Sequence, residues 1–104
     1  MLVANWKMNG SETMINNWIE GIKSVPKNIQ SKCIFCPPSC FLYQASNLIK
    51  EKNLEICLGA QDVDPFTENS LTGGISAKML KNLGCQYVIT VSYTHLTLPT
   101  NREV

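Results

Sequence analysis

Short apolar runs alternate with amphipathic stretches from the first residues of the chain. Leu2-Val3-Ala4-Asn5-Trp6 predicts a strand. Ser11 is placed to cap a helix with Glu12 in its first turn, where a carboxylate suits the helix dipole. Ile15, Trp18, Ile19, Ile22 and Val25 then recur at helical spacing until Pro26 stops the run. Cys33-Ile34-Phe35-Cys36 is a second short apolar run, ended by Pro37-Pro38. Ser39 opens a further helix with Leu42, Ala45, Leu48 and Ile49 as its stripe. Glu55 to Ala60 predicts a third strand, followed by a polar loop. Ser76 caps a short helix carrying Met79, Leu80 and Leu83, Gly84 stands where a left-handed C-terminal cap is wanted, and Cys85 to Thr90 predicts a fourth strand.

Strands separated by helical patterns of about 10–15 residues imply a parallel sheet with crossover helices, an α/β fold. Periodicity alone leaves a closed barrel and an open doubly wound sheet as alternatives. A dinucleotide-binding fold wants G-x-G-x-x-G after its first strand, and Lys7-Met8-Asn9-Gly10 lacks it.

Composition narrows the classes. Nine Lys and Arg against eight Asp and Glu give a formal net charge of +1, with no basic surplus for nucleic acid. No apolar run is long enough for a membrane span, and Met1 to Asn9 does not read as a signal peptide. The five cysteines, Cys33, Cys36, Cys40, Cys57 and Cys85, permit a zinc or redox module. However, strand positions three apart point to opposite faces, so Cys33 and Cys36 make a poor shared metal site. Free thiols acting as small buried hydrophobes in a reducing compartment are the better expectation.

Asn5 and Lys7, two apart at the end of the first strand, are expected on one face, with Ala4 and Trp6 turned toward the helices. Ligands bind at the C-terminal ends of parallel strands. A lysine with an amide neighbour there suits phosphate or a developing oxyanion. A small non-catalytic α/β binding or interaction module is the competing class, but it gives no reason to pair these two residues at a strand end.

The string Asn5-Trp6-Lys7-Met8-Asn9-Gly10 resembles the opening active-site segment of the triosephosphate isomerase family. Cys36-Pro37-Pro38, Leu58-Gly59-Ala60-Gln61-Asp62-Val63, Leu71-Thr72-Gly73-Gly74-Ile75-Ser76-Ala77-Lys78-Met79-Leu80 and Gly84-Cys85-Gln86-Tyr87-Val88-Ile89 resemble further segments of it, in the family's order, over about residues 2–90. The resemblance implies the N-terminal half of a (β/α)8 barrel, with about four parallel strands. It further implies a cytoplasmic, homodimeric isomerase of phosphorylated trioses that uses no metal or cofactor. By the same resemblance Lys7 stabilises the enediolate and the substrate phosphate, and Asn5 binds substrate. Thr72 lies in a loop reaching a dimer partner's site, and Gln61 shapes the site floor near that interface. Two departures stand out: Gly74 replaces a glutamate that supports loop contacts, and Ala4 replaces the usual glycine.

After Thr90 the resemblance ends. The family continues G-H-S-E-R-R, whereas this chain reads Val91-Ser92-Tyr93-Thr94-His95-Leu96. Ser92 takes the place of the catalytic histidine, and His95 falls outside any family motif. Residues 91–100 are what GTC TCT TAT ACA CAT CTG ACG CTG CCG ACG encodes, a string resembling a transposase mosaic end joined to a sequencing adapter. The expectation is therefore a partial barrel over 1–90, a non-native tail over 91–104, and first and fourth strands left as unpaired edges.

Overall fold

The computed structural model describes residues 1–64, 72–89 and 102–103. Strands β1 (Leu2–Asn5), β2 (Cys33–Cys36), β3 (Cys57–Ala60) and β4 (Cys85–Val88) are parallel neighbours in chain order. Between them lie α1 (Glu12–Ile22), the single turn α2 (Lys27–Gln30), α3 (Leu42–Glu51) and α4 (Ala77–Asn82). A two-residue strand, β5 (Arg102–Glu103), adds parallel to β4 opposite Tyr87 and Val88. The fourth strand is therefore not the bare edge expected from the sequence. An open row of backbone N–H and C=O groups is a template for any segment that reaches it, and here the chain's own terminus does so. Leu2 and Val3, 63% and 41% exposed, lie on the edge strand at the other side of the sheet.

The order β1-β2-β3-β4 decides between the two architectures left open by periodicity. A doubly wound sheet reverses its strand order at a switch point. Sequential order with right-handed crossovers instead sends every connecting helix to the same face. One cluster accordingly contains Ile15 and Ile19 of α1, Leu42 and Ala45 of α3, Leu80 of α4, and Phe35, Leu58, Ala60 and Val88 from the strands. Pairing puts Val3, Asn5, Ile34, Cys36, Cys57, Gly59 and Tyr87 on the opposite, inner face. Four parallel strands alternating with helices on one side are the N-terminal half of a (β/α)8 barrel.

Packing on that inner face is close. A Cβ at Gly59 would stand 2.7 Å from Cys36 Sγ and 3.0 Å from Ile34 Cγ2, so only glycine lets β3 lie this near the β2 side chains. Cys36 and Cys85 are buried and behave as hydrophobes. Burial pushes both thiols up to about 12, and it raises Cys57 as well, with smaller contributions from Cys33 and Glu55.

Local signals act as the sequence leads one to expect at several ends. Ser11 Oγ accepts from the Met14 N–H at 3.1 Å and Ser76 Oγ from the Met79 N–H at 3.2 Å, so both serines are N-caps. Gly84 takes φ +92° after α4. Ser39 starts a 3-10 turn, Ser39–Phe41, before α3 proper. The residue pattern does not predict helix α2. Its Gln30 is buried and is the peg of this end of the sheet. Gln30 Nε2 donates to the carbonyls of Ile22 and Val25 at 3.1 and 2.8 Å, and its Oε1 accepts from the Glu55 N–H at 2.8 Å. That last bond takes up the Glu55 N–H, and β3 begins at Cys57 rather than Glu55. On the surface, Glu20 of α1 meets exposed Lys23 at 3.3 Å and half-buried Lys52 at 2.9 Å, a set of modest worth.

Gln30→Ala leaves three backbone groups without their side-chain partner, and a loss of about 1–3 kcal/mol is expected. The urea midpoint at fixed protein concentration measures it, and an unchanged midpoint contradicts the peg. For the thiols, the thiolate is the nucleophile and is scarce well below the pKa. Iodoacetamide at pH 8 is expected to modify exposed Cys40 first and Cys36 and Cys85 only in denaturant, as read by peptide mass spectrometry. Equal rates at all three contradict the burial.

Candidate active site

Strand β1 ends at Asn5, so the two-residue alternation that puts Asn5 and Lys7 on one face does not extend to Lys7. Lys7 takes φ 54°, a left-handed conformation that costs a non-glycine residue about 1–2 kcal/mol. The pair is brought together by a hydrogen bond instead: the Lys7 N–H donates to Asn5 Oδ1 at 2.9 Å. The other side of the Lys7 residue is held too. Gln61, one residue beyond β3, donates from Nε2 to the Lys7 carbonyl at 2.8 Å and to the Cys36 carbonyl at 3.0 Å. One side-chain amide thus joins the C-terminal ends of β1, β2 and β3, the edge at which parallel α/β proteins bind ligands.

Trp6 anchors this turn from below. Its N–H donates to the Cys36 carbonyl at 3.1 Å, and its carbonyl accepts from both the backbone N–H and Nδ2 of Asn9. The indole meets Trp18 of α1 edge-on at 6.2 Å and Phe35 of β2 at 5.2 Å, while Trp18 and Phe35 stack at 4.2 Å. Ala4 and Trp6 therefore pack toward the helices, as the pattern predicts. At Gly10, φ +151°, a Cβ would approach the Phe41 ring to 3.1 Å, so the loop closes tightly on the start of α3. Met8 projects into solvent, 95% exposed.

Asn5 and Lys7 are exposed, and Gln61 is half-buried beneath them. A cation at the mouth of a sheet, carried on a residue fixed through both its N–H and its C=O, is suited to an anionic small molecule. Thr72 is not part of these hydrogen bonds; it is exposed in the turn before α4. Half-buried Gly74 lies two residues on, and the Asp64 N–H donates to the Ile75 carbonyl at 2.8 Å. Ser92 and His95 lie outside the described residues. Cys33 faces the helices and Cys36 the inner side, and no group of three metal-ligating side chains occurs among the described residues. No helix among them is long and apolar enough to cross a membrane. The fork of Gln61 and the backbone of Lys7 carry no signal in residue spacing, because both depend on contacts between strands far apart in sequence.

The sequence model of the triosephosphate isomerase family matches residues 1–91. The triosephosphate isomerase of Wolbachia sp. subsp. Brugia malayi (strain TRS) is 41% identical over 104 residues, all of this chain and 42% of that protein. That of Polynucleobacter asymbioticus is 40% identical over 96 residues, 86% of this chain and 37% of its own length. That of Vibrio cholerae is 32% identical over 90 residues, 86% of this chain and 35% of its length. The chain spans about two fifths of the length of these relatives. With residues 1–91 matched and the half-barrel strand order in place, the chain belongs to the triosephosphate isomerase family.

Proposed function

We propose that this chain carries the Asn5–Lys7 portion of a triosephosphate isomerase site, which binds dihydroxyacetone phosphate and glyceraldehyde 3-phosphate for their interconversion. The observation that carries this reading is the left-handed Lys7 fixed at the strand ends by Asn5 and Gln61. Isomerisation moves a proton between adjacent carbons through an enediolate, so negative charge develops on oxygen. The Lys7 ammonium stabilises that charge and the substrate phosphate. Asn5 spends its Oδ1 on Lys7 and keeps its Nδ2 donors for substrate.

Proton transfer needs a base and an electrophile, which typically contribute about 10²–10⁴-fold. The sole histidine, His95, stands outside the family's motifs, and the match covers about two fifths of a relative. The polypeptide of 104 residues by itself is therefore inactive in this reading, with residues 1–90 the partial barrel and 91–104 foreign to it. Thr72 and Gln61 belong to the interface of a cytoplasmic homodimer in the whole enzyme.

In a 15N-labelled sample titrated with dihydroxyacetone phosphate, saturable shift changes are expected at the amides of 5–10 and of Gln61, and their loss in Lys7→Met. Their absence in the unsubstituted chain overturns the substrate reading. No turnover above a matched host-enzyme control is expected, and turnover that copurifies with the chain overturns its inactivity.

A further inference from the structure

We infer that Gln61 is a positioning residue for Lys7: its side-chain amide selects the left-handed conformation from which the lysine meets a phosphorylated ligand. This rests on the reading of Lys7 given above and goes beyond it, because it assigns the lysine's backbone conformation to a residue 54 positions away.

Three observations converge on it. Left-handed backbone at a lysine persists only where the surroundings over-determine it. Here the residue is bonded through its N–H to Asn5, the last residue of β1, and through its C=O to Gln61, one residue beyond β3. The Asn5 bond closes within one strand end, whereas the Gln61 bond ties the turn to the ends of β2 and β3. Second, the same Nε2 donates to the Cys36 carbonyl, so the amide that grips Lys7 is itself registered against β2. Two carbonyls facing one side chain require a group with two N–H donors and no charge at that end, which a carboxamide supplies. A carboxylate there would set oxygens against oxygens. Third, the reach is built in two residues earlier. Gly59 has no side chain, and a Cβ there would meet Cys36 Sγ at 2.7 Å. The missing methyl leaves room for the Cys36 side chain against β3, so that β2 and β3 keep the parallel register in which Gln61 reaches the Cys36 carbonyl. Gly59 and Gln61 together thus set where Lys7 is held.

The test is nuclear magnetic resonance on the full chain. A left-handed residue places its amide proton near its own Hα, giving a strong intraresidue cross-peak, and Lys7 is expected to show it. In Gln61→Ala that cross-peak is expected to weaken to the level of extended residues while cross-peaks between β1, β2 and β3 persist. A residue that only stabilised the fold would not change Lys7 selectively. Affinity for dihydroxyacetone phosphate is expected to fall on the order of tenfold, as for loss of one ordering hydrogen bond. Should Gln61→Ala not fold, Gln61→Glu, of equal length but without donors at neutral pH, gives the same reading. An intact left-handed signature at Lys7 in the folded variant overturns the inference. The two readings fail separately. Loss of the signature supports positioning whether or not the unsubstituted chain binds the triose phosphate, and absence of binding counts only against the role of Lys7.

Discussion

A lysine in left-handed backbone, pinned through its N–H by Asn5 and through its C=O by Gln61, is the constraint on which the site depends. The Gln61 bond exists only where the ends of β1, β2 and β3 are level with one another. Parallel register brings Asn5 beside Cys36, and the Trp6 N–H extends that pairing by one more bond. Gln61 then finds the Cys36 and Lys7 carbonyls in reach together. The aromatic set of Trp6, Trp18 and Phe35 fixes the loop to α1 and β2 from the helix side, so the turn is held from both faces.

The larger architecture follows from strand order and handedness. Sequential parallel strands leave one face for helices and the other for an inner layer of Val3, Asn5, Ile34, Cys36, Cys57, Gly59 and Tyr87. The glycine in that layer makes room for the Cys36 side chain, so that β2 and β3 keep the register in which Gln61 reaches the Cys36 carbonyl. At the opposite ends of the strands, Gln30 does for stability what Gln61 does for the site. Each is a carboxamide that satisfies backbone groups from separate segments.

Much of this was legible along the chain, because the signals are local. Ser11 and Ser76 cap helices through their own neighbours three residues on, Cys33–Cys36 reads as a strand from its own composition, and Gly84 marks a helix end by its backbone freedom. What escaped is non-local or strained. Helix α2 is a single turn without an apolar stripe, identified by the buried contacts of Gln30. The pairing of Arg102–Glu103 with β4 joins segments with no pattern in common. Alternation placed Lys7 beside Asn5 for a reason that fails at the strand's last residue. The two are adjacent through a side-chain hydrogen bond, and resemblance to the family, not spacing, singled out Gln61.

Strain at Lys7 is the physical claim beneath both functional readings, and Lys7→Gly measures it most directly. Glycine removes a left-handed penalty of about 1–2 kcal/mol and forfeits about 0.5–1 kcal/mol of unfolded-chain entropy. A net gain of about 0.5–1 kcal/mol is expected in the urea midpoint at fixed protein concentration. A lower or unchanged midpoint contradicts a lysine held in left-handed backbone by its neighbours.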